Sequence, residues 1–181
     1  MSTPTQANES VNTMLAQVKA ASGGQLLALH TDLARSPATL AAYLGLRRAG
    51  GDHGTLDPSV RAAIMLTAGA VDGGAYSQAI ATQLAIRTGI SPEQTVAIRA
   101  GQVDDARTAA LLGVTREAAA NAGVVSEATW AGAIAAGWSD EQVIEAFVFL
   151  ALTVFVDYFT NYAVTRLDVP PAHPIPSEAE K

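Results

Sequence analysis

The sequence predicts an all-α protein with a single domain, and three observations carry that prediction. Hydrophobic residues make up 49% of the 181 residues and charged ones 15%, with much of the apolar share alanine, which suits close-packed helices better than strands. Helix starts are legible: Ser36-Pro37, Asp57-Pro58 and Ser91-Pro92 each set a cap residue before a proline that is pre-organised for the first helical position. Ser91 with Gln94, and Ser139 with Gln142, have the S-x-x-Q spacing in which two side chains satisfy each other's free backbone donors. A chain of this length fills one sizeable core and is too short for two ordinary domains.

These signals place helices near residues 9–21, 24–34, 37–49, 58–71, 75–88, 92–100, 105–121, 126–136 and 140–166. Residues 1–8 are expected to be a disordered tail, 9–168 a single helical domain and 169–181 an extended tail. Gly50-Gly51-Asp52-His53-Gly54 is too rich in glycine for helix and is expected to be a loop. Thr88 to Gln94 and Ala136 to Gln142 share a helix-end glycine, an apolar residue, a serine cap and an E-Q pair at one offset. That is either the trace of a duplicated helical hairpin or ordinary reuse of capping chemistry. Helix 140–166 is too apolar for a lone surface helix and suits a subunit core. The prolines from Pro170 to Pro176 forbid helix, so the tail either wraps a neighbouring subunit or stays free.

Composition also excludes functions. A net charge of -6 and a pI near 4.9 repel phosphate backbones and anionic lipid, so neither nucleic acid nor a membrane is expected as a partner. The chain has no cysteine, which removes disulfides, thiolate metal sites and thiol catalysis. His30, His53 and His173 have no metal-ligand spacing, so no metal and no cofactor are expected. Residues 1–9 carry neither the basic start nor the apolar core of a secretory signal, and the expected location is cytoplasmic. The apolar run from Ala146 to Val156, broken by Thr153, falls short of the roughly 20 residues of a membrane span.

The richest stretch is Val71-Asp72-Gly73-Gly74-Ala75-Tyr76-Ser77-Gln78-Ala79-Ile80-Ala81. With Leu33 to Pro37, Leu56-Asp57-Pro58, Phe155 to Asn161 and Thr165 to Pro170, it resembles the carboxymuconolactone decarboxylase and alkylhydroperoxidase D superfamily, from about Ala21 to Pro170. Members typically read V-N-x-C-x-Y-C-x-x-A-H there and F-T-N-Y-F-N-H…T-E-x-D-x-P later. The resemblance implies an alkylhydroperoxidase D-like helical bundle, assembled as a dimer, trimer or hexamer. It also implies a lost redox site. Gly74 and Ser77 stand at the cysteine positions, Ala81 at the histidine and Ala62 at the proton-relay glutamate. A hydroxyl has no sulfenate-to-disulfide cycle, and Ser77 has no base one turn away, so peroxidase chemistry is not expected.

Two departures from the pattern add chemistry. Asp72 and Asp157 stand at asparagine positions in regions that the family's fold brings toward one cavity. If Asp157 points inward among Phe155, Val156, Tyr158 and Phe159, burial should raise its pKa and make it a general acid or base, with Asp72 beside it. Otherwise Asp157 lies on a polar stripe with Thr160, Asn161 and Val164, and Asp72 caps the motif helix. Candidate ligand-binding residues are Tyr76, Ser77, His53, Tyr158 and Asn161, around a pocket enlarged by the loss of side chains at 74, 77 and 81. Two functions follow. One is a cofactor-independent decarboxylase, isomerase or cyclase acting on a small apolar organic molecule; the alternative is a non-catalytic descendant that binds a small molecule or serves as a scaffold.

Overall fold

The computed structural model describes residues 4–176, with side chains from residue 9 onward. Among the described residues there are nine helices and no strand: α1 (Pro4–Ala21), α2 (Ala28–Leu33), α3 (Pro37–Asp52), α4 (Pro58–Asp72), α5 (Ala75–Arg87), α6 (Pro92–Arg99), α7 (Ala106–Ala120), α8 (Glu127–Ala135) and α9 (Asp140–Tyr162). Each expected helix is present. Residues 1–3 of the expected N-terminal tail lie outside the described residues, and residues 4–8 belong to α1.

α4 is the central helix, packed against α5, α6, α7 and α9. One apolar core gathers Ile64 and Leu66 of α4, Leu111 of α7 and Phe149 of α9; a second gathers Leu29, Leu33, Leu40 and Tyr43 of α2 and α3 against Tyr76 and Val156. α9 has a mean hydropathy of 1.9 and, by length and composition, could cross a membrane, although its sequence had suggested too short a run. Half of its apolar window is nonetheless buried in the bundle, which is the position of a core helix.

The expected loop at Gly50-Gly51-Asp52 is instead the last turn of α3. A Cβ on Gly50 would stand 2.8 Å from the Phe149 ring, so this glycine admits α9 at close range and does not break the helix. α9 ends earlier than expected because Val164 takes a left-handed conformation at φ 54°, and Thr165 N–H then donates back to Thr160 C=O at 2.9 Å.

Both capping boxes form, at Ser91/Gln94 and Ser139/Gln142, each after a glycine at positive φ, 94° for Gly89 and 95° for Gly137. Asp57 stands at the N-cap position of α4 without a side-chain bond, and Asp105 at that of α7, where its side chain accepts from Thr108 N–H. Asp57 and Asp105 stand at the same sequence offset as Gly89 and Gly137, or Ser91 and Ser139. A third landmark in one register favours duplication of an α4-α5-α6 unit as α7-α8-α9 over chance reuse of caps.

Candidate active site at the start of the motif helix

Gly73, left-handed at φ 73°, closes α4 and turns the chain into α5. α4 and α5 then approach so closely that a Cβ on Gly69 would meet Ser77 Oγ at 2.5 Å. Ser77 is 2% exposed and its hydroxyl donates to Gly74 C=O at 3.1 Å. Gly74 stands at the N-cap of α5 without a side chain to accept the free amides of the first turn.

Asp157 occupies the space beside it. Its side chain points inward from α9, is 1% exposed, and lies where a side chain at position 74 would go: a Cβ on Gly74 would stand 1.7 Å from Asp157 Oδ1. The space vacated at 74 is therefore occupied by a carboxylate and is not the enlarged apolar pocket expected from the sequence. Neither carboxylate oxygen makes a hydrogen bond of ordinary geometry. Burial raises the Asp157 pKa from 3.8 to about 6; the nearby Ser77 hydroxyl and amide oppose this, and the charge of Asp72 adds to it. Asp72, the last residue of α4, has a buried Oδ2 without a partner, and burial raises its pKa too. The two carboxyl groups thus face one electrostatic environment at the positive end of α5. A carboxyl group that titrates near 6 can both give and take a proton near neutrality.

Other candidates are placed elsewhere. Tyr76 is 4% exposed and its hydroxyl is already engaged, accepting from Leu29 N–H at 3.2 Å and donating to Asp168 Oδ1 at 2.7 Å. Tyr158 and Asn161 are exposed on the outer side of α9, in an open groove of about 570 Å³ shared with Thr39, Phe155 and Tyr162. His53 is exposed at the end of α3. Its loop is tied to α9 by Glu145, which accepts from Thr55 N–H at 2.7 Å and Leu56 N–H at 3.1 Å. Glu145 is about 18 Å along α9 from Asp157 at roughly 1.5 Å per residue, so His53 belongs to another part of the molecule. Ala62 and Ala81, 3% and 0% exposed, are core residues. A second groove, about 260 Å³, lies between α7, α8 and α9 beside Trp130 and Phe147.

Sequence reasoning gave no role to Asp168, whose Oδ2 accepts from Ala28 N–H at 2.6 Å and so caps α2 from across the chain. Its place in the T-x-x-D-x-P run was the available signal. It also missed Arg99, a buried guanidinium donating to Thr95 C=O, Gln78 Oε1 and the carbonyl of His173.

A model of the carboxymuconolactone decarboxylase family matches residues 37–121, from the start of α3 to the end of α7. No curated protein matches the chain in sequence. Among solved structures, the apo debrominase Bmp8 superposes with a TM-score of 0.73 at 15% identity, covering 92% of this chain and 90% of that one. A variant of the same debrominase in complex with 2,3,4-tribromopyrrole superposes with a TM-score of 0.70 at 17% identity, over 80% and 79% of the two chains. At such identities the likeness is one of fold. Family match, helical fold and altered motif agree: residues 37–121 carry a carboxymuconolactone decarboxylase-type segment without the C-x-x-C…H redox motif, set in an all-α fold of the alkylhydroperoxidase D-like kind.

Proposed function

We propose that this protein is a cofactor-independent, cytoplasmic enzyme in which Asp157, paired with Asp72, transfers a proton to or from a small, flat, apolar organic molecule. Decarboxylation, isomerisation and cyclisation are the reaction types within reach of one carboxyl group acting as acid and base. The observation that carries the reading is the unpartnered Asp157 carboxylate, 1% exposed and titrating at about 6, in the volume of the family's first thiol. The ligand class draws support from the debrominase of the same fold, whose bound tribromopyrrole is a small flat ring. Substrate would enter past Gly73 and Ala75, which are exposed above the buried Gly74.

A second reading is a non-catalytic small-molecule binder or scaffold, and one observation favours it: the two grooves beside α9 do not include Asp157. Deuterium incorporation separates the two. Protein in D2O with a panel of small lactones and aromatic ketones should catalyse exchange of their acidic C–H protons, followed by proton NMR, and Asp157→Asn should reduce the rate at least about 100-fold. Binding without exchange, equal in both proteins, would leave the binder reading. Turnover of an organic hydroperoxide with a dithiol donor should be no faster than with heat-killed protein.

A further inference from the structure

Arg99, the last residue of α6, is 4% exposed, and a guanidinium is seldom buried so far without a carboxylate beside it. Here its partners are neutral. Nε donates to Thr95 C=O at 3.3 Å, one Nη to Gln78 Oε1 at 3.2 Å and the other Nη to the carbonyl of His173. Burial pulls the Arg99 pKa down, and among the described residues no acidic neighbour acts in the opposite direction. Asp157 feels the charge of Asp72 and not that of Arg99, so the carboxyl groups at the start of α5 do not balance it. Arg116 adds to the imbalance. Its guanidinium lies against the end of α6 and donates to Ile98 C=O at 3.2 Å and Arg99 C=O at 3.4 Å.

We propose that Arg99 anchors a binding site for a small organic carboxylate, and that the carbonyl of His173 holds the carboxylate's seat until the ligand displaces it. The cover over Arg99 is thin. Among the described residues, the bond to His173 is the hydrogen bond that ties residues 169–176 to the helices. Pro170, Pro171, Pro174 and Pro176 have no N–H to add, and all four are exposed. A carboxylate is the stronger acceptor: it meets a guanidinium through two parallel charge-assisted bonds, each about twice as strong as a bond to a neutral oxygen. It also supplies the charge that Arg99 lacks. One guanidinium matches a monoanion, and the chain's net charge of -6 disfavours a dianion such as phosphate. Gln78, partly buried and already on the guanidinium, is a second polar group beside the ligand. Binding here needs no turnover, so this proposal and the one for Asp157 stand or fall separately.

The chain has no cysteine, so Ile175→Cys, exposed on the tail, can carry a single fluorophore. Titration of the full chain with benzoate should lower the label's anisotropy to a plateau as the tail leaves Arg99. Benzamide, the same ring without the charge, should not. Truncation after Val169 removes the competing carbonyl and should tighten benzoate binding at least about tenfold by calorimetry. In the truncated chain Arg99→Lys keeps the charge and loses the planar fork, and should weaken binding at least about tenfold with helicity retained by circular dichroism. If that variant fails to fold, the label and the truncation still decide. Equal binding of benzoate and benzamide would overturn the proposal. So would an absence of benzoate binding to the truncated chain, binding that leaves the label unmoved, or binding that truncation does not tighten.

Discussion

Position 74 and position 157 form a single steric unit. A methyl group on Gly74 would fall 1.7 Å from Asp157 Oδ1, so Gly74→Ala should destabilise the protein by at least about 2 kcal/mol in urea denaturation. In an Asp157→Ala background the same change should cost less than about 1 kcal/mol, and the difference between the two measures the coupling. Titration provides a second handle. The folded pKa of Asp157, about 6, exceeds its unfolded value of 3.8, so its contribution to stability is full below about 3.8 and is lost as pH rises through about 6. Asp157→Asn keeps the shape and removes the ionisation. The variant should therefore be more stable than the parent by about 3 kcal/mol at pH 8, with the gap closing near pH 4. His30 titrates in the opposite sense: burial first, then the charge of Arg47, lowers its pKa to about 4, so its contribution is lost as pH falls from about 6.5 through 4. That loss is common to both proteins and cancels from the comparison.

At the scale of elements, the end of α9 holds strain that can be released. Val164 is a β-branched residue at φ 54°, 87% exposed, in the position where helices favour glycine. Val164→Gly should raise stability by about 1 kcal/mol, seen as a higher melting temperature with unchanged helicity. The helices themselves were legible because caps, prolines and helix-end glycines are local signals, written within one turn of the boundary that they set. Boundaries set from a distance were not legible. α2 begins at Ala28 because Asp168 caps it from the far end of the chain, and α3 continues through Gly50 because Phe149 packs there. The site was half legible on the same grounds. That Asp157 and Asp72 share an environment followed from the motif's resemblance, whereas the carboxylate's seat on Gly74 depends on how α5 and α9 pack, and periodicity carries no trace of that.

For the whole molecule, the C-terminal segment acts as a strap on its own chain. Asp168 engages Tyr76 and Ala28, and the carbonyl of His173 accepts from Arg99, whose buried guanidinium has its pKa pulled down by desolvation. The described part of the tail thus touches α6 of its own chain through the carbonyl of His173, a contact that its prolines alone did not suggest. Truncation after Val169 should lower stability by about 1–2 kcal/mol, the value of one hydrogen bond to a charged donor, and leave the oligomeric state unchanged by light scattering.

The seating of Asp157 also limits the routes by which a thiol-bearing relative could give rise to this chain. A cysteine at position 74 and a carboxylate in the present Asp157 pose exclude each other, so descent from a thiol-bearing relative requires the thiol to leave before, or together with, the arrival of that pose. With the carboxylate seated there, a side chain at 74 requires Asp157 to move, a change that thiol chemistry would need in addition to those at 62, 77 and 81.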